Sequence, residues 1–315
     1  MTEHYIRPDV SAYLAMLAQF PRPDFSDEFV AMMRQLPPDA MPPMDLPVGD
    51  LGEIRDLTMA GPAGDIALRL FDPRATRGPS PVMVFYHGGG FVVGSIDSHA
   101  SLCAEIARSL DLPVVSVEYR LAPENPWPAG PDDAEAAARW ITGNGAAFGR
   151  EFTGLVLCGD SAGGNLAAIT AAALRDQPAA LPVLYQLLIY PVTDSSRRHP
   201  SRDIFAEGFG LDAKNIAYFD RAYAMDKHHW RGSPILADTA GLPPALVVTA
   251  GLDPLRDEGR AYAARLKGAG VRTEHIEFDG TIHGFTTYRL HLPSARDDLA
   301  QMLALANAML AEITG

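Results

Sequence analysis

A chain of 315 residues, 47% hydrophobic and 21% charged, has ordinary globular composition, which excludes disorder, collagen and coiled coil as its main class. At this length roughly three quarters of the unfolded surface is buried on folding, so no disulfide or metal is needed to hold a core together. The formal net charge of −13 (26 Lys and Arg against 39 Asp and Glu) has the wrong sign for a phosphate backbone or an anionic membrane. A soluble cytoplasmic protein without a nucleic-acid partner is expected.

The N-terminal sequence Met-Thr-Glu-His-Tyr-Ile-Arg-Pro lacks the charged-then-apolar pattern of a signal peptide. No run of about 18 apolar residues is available for membrane insertion. The first fifty residues are proline-rich and hold Met1, Met16, Met32, Met33, Met41 and Met44, six of the 11 methionines. Methionine fits irregular apolar surfaces, so residues 1–50 are expected to pack on a core as helices or to cap a pocket. Cys103 and Cys158 are too few for a disulfide framework or a metal cluster and are expected to be free.

Residues 53–59 and 65–71 alternate apolar and polar around Gly61-Pro62-Ala63-Gly64, which predicts a hairpin. Near-continuous apolar runs follow at 81–86, 114–119, 155–158, 184–190, 245–250 and 273–278, each followed by a helical pattern. Short apolar runs alternating with helices predict an α/β fold, its strands mostly parallel and covered on both faces. Between about 195 and 232 the rhythm gives way to a polar, aromatic stretch, expected to be an insertion carrying helices beside the N-terminal segment. The last helix is marked by Leu299, Met302, Leu303, Ala306, Met309, Leu310 and Ile313 on one face, with Pro293 near its start.

The sharpest motif is Gly159-Asp160-Ser161-Ala162-Gly163, between the run 155–158 and an alanine-rich helix predicted over 162–174. G-x-S-x-G in that context holds a serine nucleophile on a tight strand-to-helix turn. The flanking glycines leave the turn free of side chains, and the helix N-terminus favours developing negative charge. His87-Gly88-Gly89-Gly90 follows the run 81–86 and can offer bare amides to a ligand oxygen. Gly88, Gly89 and Ala162 are the candidate oxyanion-hole donors. His87 is read as a hydrogen-bonder within that loop rather than as a base.

A serine nucleophile needs a base, and the base an orienting acid, in the chain order Ser, Asp or Glu, His. Six of the nine histidines follow Ser161. His283 stands just past the run 273–278, at the carboxyl end of the predicted sheet where such sites lie. His275 is inside that run, and the others fall in the insertion or on a helix. Asp253 likewise follows the run 245–250. Its rivals Asp257 and Glu258 fall in the first turn of a helix predicted over 256–266, where acidic residues are favoured in any case. Ser161, Asp253 and His283 are thus the candidate nucleophile, orienting acid and base. Candidate pocket residues are Phe91 and Val92 after the glycines, Tyr190 at a strand end, and the apolar Ile282, Phe285, Phe205, Phe209 and Phe219.

Taken with Glu118-Tyr119-Arg120-Leu121-Ala122-Pro123-Glu124, Asp253-Pro254-Leu255-Arg256-Asp257-Glu258 and His283-Gly284-Phe285, these motifs resemble bacterial carboxylesterases of the hormone-sensitive lipase family over about residues 50–290. The resemblance implies an α/β-hydrolase fold, residues 51–315 forming the catalytic domain under a helical cap drawn from residues 1–50 and 195–232. It implies hydrolysis of short- to medium-chain esters through an acyl-enzyme, with no cofactor and no metal, and a homodimer through the sheet edge. Residues 118–124 would support the oxyanion loop with Arg120 ion-paired, and Asp160 and Asn165 would brace the turn. The same triad also serves lipases, amidases, lactonases and deacetylases. A non-catalytic small-molecule receptor on the same fold is the reading from another class.

Overall fold

The computed structural model describes residues 4–19, 24–36 and 42–314. Met1 and Met41 of the N-terminal methionine group lie outside these residues. Helices α1 (Pro8–Ala18) and α2 (Asp27–Gln35) precede the hairpin of β1 (Glu53–Gly61) and β2 (Gly64–Asp72). There follow β3 (Ser80–Tyr86), α3 (Ala100–Leu110), β4 (Val114–Val117), α4 (Ala129–Gly143), β5 (Phe152–Asp160), α5 (Ala162–Asp176) and β6 (Val183–Ile189). The chain then runs through α6 (Ser201–Ile204), α7 (Ala213–Tyr223), β7 (Ala245–Leu252), α8 (Arg256–Gly268), β8 (Thr273–Ile282) and α9 (Ser294–Thr314).

The strands form one eight-stranded sheet in the order β1-β2-β4-β3-β5-β6-β7-β8, antiparallel from β1 to β4 and parallel from there on. Successive side chains of a strand face opposite sides. On β3, Val82, Val84 and Tyr86 join one apolar cluster with α4, α5 and α8, whereas Met83 and Phe85 join another with α1, α3 and α9. Burial on both faces is why the central strands read as unbroken apolar runs, while the edge strand β1 keeps a visible alternation.

β5 (Phe152–Asp160) and β7 (Ala245–Leu252) run longer than their apolar runs, and two further strands depart in ways that shape the site. β4 stops at Val117, because Glu118 and Tyr119 turn away to support the loop after β3. β8 continues four residues past its apolar pattern, through Asp279 and Gly280 to Ile282. Gly280 takes a φ of 72°, and the pairing with β7 shifts before resuming at Leu252 and Ile282. That extension carries the chain to His283.

The N-terminal segment divides between two places. α1 is clamped to the body: Arg7 pairs with Asp298 at 2.5 Å, Asp9 accepts the Ser294 amide at 2.8 Å, and Val10 and Tyr13 are buried against α9. α2 reaches toward the carboxyl end of the sheet. Its Arg34 donates to the carbonyls of Val92 and Ala122, and Phe25 just before it packs on Tyr218 and Phe219 of α7 at 5.7 and 5.1 Å between ring centres. Among the described residues no helix is long and apolar enough to cross a membrane. Cys103 and Cys158 are buried and unbridged.

Candidate active site

β5 ends at Asp160 and α5 begins at Ala162, so Ser161 alone makes the turn, with φ 53° and ψ −115°. An L residue avoids that conformation unless its surroundings enforce it. Here they do. A β-carbon on Gly163 would lie 1.8 Å from the Tyr86 carbonyl oxygen, and one on Gly159 would lie 2.3 Å from the Gly163 oxygen. Gly163→Ala is expected to cost about 3 kcal/mol, the upper range for an overpacked site. Urea unfolding measures this, and an unchanged midpoint would contradict the crowding argument.

His283 directly follows β8. Its Nε2 is 2.9 Å from Ser161 Oγ and its Nδ1 is 2.7 Å from Asp253 Oδ2. Asp253 follows β7, is fully buried, and its other oxygen accepts the Leu255 amide at 2.7 Å. A neutral imidazole held this way donates from Nδ1 to the carboxylate and leaves Nε2 to accept the serine proton. The rival acids are engaged elsewhere. Asp257 accepts the Ser201 amide at 2.9 Å and pairs with Arg256 at 2.9 Å. Burial works to raise its carboxyl, but these partners hold it below the usual range. Glu258 is fully buried, pairs with Arg202 at 2.8 Å and accepts the Thr193 amide at 2.9 Å. Burial pushes its carboxyl up against the opposing Arg202 charge.

The loop after β3 corrects one expectation. Gly88 donates its amide to Asp160 Oδ1 at 2.7 Å, so it is not free to serve a substrate oxygen. The amides of Gly89, Gly90 and Ala162 have no hydrogen-bond partner among the described residues. Gly90 was not among the sequence candidates, because three glycines in a row do not say which amide the fold consumes. Each glycine of this loop is hemmed in: a β-carbon on Gly89 would meet the Val93 oxygen at 2.0 Å.

The supports expected for the loop are visible as contacts. Tyr119 stacks on the His87 ring at 4.3 Å and donates its hydroxyl to the His87 carbonyl at 2.7 Å. Ile96 donates its amide to Glu118 at 2.7 Å, and Arg120 forks onto Asp133 at 2.8 Å. Asn165 donates from Nδ2 to the carbonyls of Val192 and Gly232 at 3.0 and 3.1 Å, tying α5 to the segments that follow β6 and α7. His87 is fully buried, with Nδ1 2.8 Å from the Gly88 oxygen. Burial, with the charge of His99 beside it, pushes its imidazole down to about 3.

Ser161 and His283 open onto a cavity of about 680 Å³ with mainly apolar walls, also lined by Gly88, Gly89 and Gly90. The candidate pocket residues divide. Phe91 and Phe219 line the cavity, whereas Val92, Tyr190, Ile282, Phe285, Phe205 and Phe209 do not. Val92 is buried with its carbonyl held by Arg34, and Tyr190 stands behind His283, ring centres 4.7 Å apart. Ile282, Phe285 and Phe205 are fully buried in the cluster under α9, and Phe209 packs edge-on to Phe205. Adjacency to a motif does not say which way a side chain faces. The walls that sequence reasoning missed include Phe25 before α2, Leu46 and Val48 ahead of β1, Ile216 on α7 and Met225 just after it, and Leu255 and Tyr288 beside the candidate acid and base. The methionine and proline content of the first fifty residues was the available signal.

Comparison with known proteins finds relatives over most of the chain. A family described as alpha/beta hydrolase fold matches residues 83–287. The chain is 41% identical over 249 residues to esterase LipI of Mycobacterium tuberculosis, covering 77% of this chain and 78% of that protein. It is 37% identical over 319 residues to carboxylesterase NlhH of the same species, covering 96% and 98%. Among solved structures, the ester hydrolase EH1AB1 from the metagenome of Lake Arreo, complexed with a derivative of bipyridine phosphonate, superposes with a TM-score of 0.88 at 38% identity, covering 97% of this chain and 99% of that one.

Proposed function

The chain belongs to the alpha/beta hydrolase fold family and is a carboxylic ester hydrolase within it; from this premise we propose that Ser161, His283 and Asp253 carry the reaction through an acyl-enzyme. The observation that supports the assignment is the continuous chain of contacts from Ser161 Oγ through the His283 ring to Asp253, at 2.9 and 2.7 Å. His283 takes the serine proton as Oγ attacks the ester carbonyl and returns it to the leaving alcohol. Water, activated by the same imidazole, then releases the acid. Asp253 holds the ring in the tautomer that leaves Nε2 unprotonated and stabilises the imidazolium that forms.

Gly89, Gly90 and Ala162 are the proposed donors to the oxyanion, Gly88 being engaged with Asp160. Each such donor contributes about 2.7–4 kcal/mol in the transition state. The acyl group and alcohol occupy the 680 Å³ cavity, whose apolar walls suit short to medium chains. A panel of p-nitrophenyl esters from acetate to palmitate tests the reading, with covalent labelling by a fluorophosphonate. Turnover is expected to peak at butyrate to hexanoate and to be poor on palmitate. Fastest turnover of palmitate would overturn the chain-length reading, and failure of the probe to label Ser161 would overturn the nucleophile.

A further inference from the structure

Beside Ser161 lies a buried carboxylate that the triad does not use. Asp160 is 4% exposed, and its Oδ1 accepts the amide of Gly88, the residue just before the proposed donors Gly89 and Gly90. The same oxygen is 3.2 Å from His99 Nε2. His99 is buried just before α3, lines the cavity, and has its Nδ1 2.8 Å from Ser98 Oγ. An unpaired anion at Asp160 would be costly in this interior. It would also repel the negative charge that forms on the substrate oxygen at the same loop.

We propose that protonated His99 is the counter-charge of Asp160, and that this pair positions the oxyanion loop through the Gly88 amide. The proposal rests on the ester-hydrolase reading above. The other charged or titratable groups facing His99 have nearer partners or are neutral, and Asp45 adds a smaller pull in the same direction as Asp160. His87, from the oxyanion loop, has its ring 5.6 Å away and is pushed to its neutral form. Glu118, after β4, accepts the Ile96 amide. Asp45, ahead of β1, is held by Arg289 at 2.7 Å, and Asp97 by Arg69 at 2.5 Å.

Both members of the pair shift toward their charged forms. Burial works to lower the His99 imidazole, but the charge and hydrogen bond of Asp160 outweigh it and raise it. Burial works to raise Asp160, but His99 and the Gly88 amide bring it down. A raised histidine keeps the pair intact at low pH and loses it as pH rises through the raised value. The rate therefore acquires an alkaline limb from His99.

The test is the pH profile of kcat and KM on p-nitrophenyl butyrate for the wild type, His99→Gln and Asp160→Asn, with thermal melts of each. In His99→Gln, kcat is expected to fall roughly 10- to 100-fold, with KM little changed and the alkaline limb gone. In Asp160→Asn the alkaline limb is expected to move to lower pH, because the group that raises His99 has lost its charge. Should His99→Gln fail to fold, the shift in Asp160→Asn decides alone. A folded His99→Gln enzyme with the wild-type profile overturns the proposal, and so does an Asp160→Asn enzyme whose alkaline limb stays in place. A wild type without any turnover would instead overturn the ester-hydrolase reading on which the proposal rests.

Discussion

Replacing Ser161 by alanine is expected to lower kcat roughly a million-fold, the scale on which loss of a triad nucleophile acts. The fold should survive, because the substitution keeps the β-carbon and removes only an oxygen whose side-chain contact is His283 Nε2. Steady-state kinetics on p-nitrophenyl butyrate and a urea melt read the two effects separately. Residual turnover within a hundred-fold of the wild type would mean that another group attacks the ester. The turn also makes a stability prediction. Ser161 is held at φ 53°, and such a residue stores of order 1–3 kcal/mol of backbone strain. Glycine at 161 relieves that strain, so Ser161→Gly should be inactive yet more stable than Ser161→Ala. The strain is kept because it lifts Oγ clear of the strand and puts it within reach of His283.

The second large effect concerns the acid. Asp253→Asn should reduce kcat about ten-thousand-fold, since a carboxamide can present its N–H to the ring and favour the tautomer in which Nε2 is already protonated. Asp257→Asn should stay within a few-fold of the wild type, because Asp257 spends its oxygens on Arg256, Arg260 and the Ser201 amide. The comparison is sharp because the two residues are four positions apart on the same segment. Were Asp257→Asn the damaging change and Asp253→Asn harmless, the identity of the acid would be reversed.

Asp253 was legible because a parallel strand delivers its next residues to the carboxyl edge of the sheet, and β7 is an apolar run whose end can be read directly. Glu258 was harder to place. In one dimension it is an acidic residue in a helix's first turn, normally an exposed feature. In three dimensions it is fully buried, binding Arg202 from α6 and the Thr193 amide after β6. Its role depends on partners more than fifty residues away.

The same limit separates the two glycine motifs. For Gly159 the constraint is local, since a β-carbon there would meet the Gly163 oxygen within the same turn; Gly163 is crowded by Tyr86 at the end of β3, yet the spacing G-x-S-x-G carries both. For His87-Gly88-Gly89-Gly90 the identity of the free amides depends on Asp160, seventy-two residues after Gly88, which takes the first of them.

The sequence by itself determined the order and period of the elements, the mostly parallel sheet, and the three side chains that meet at its carboxyl edge. These follow from backbone geometry and from apolar runs that must be buried on both faces, both of them short-range properties of a chain. Only the tertiary structure decided which amides stay open, which aromatics face the cavity rather than the core, and how the N-terminal segment splits between α1 on the body and α2 at the site. Those outcomes depend on side-chain direction and on pairings between distant segments, and neither is encoded in the spacing of any one motif.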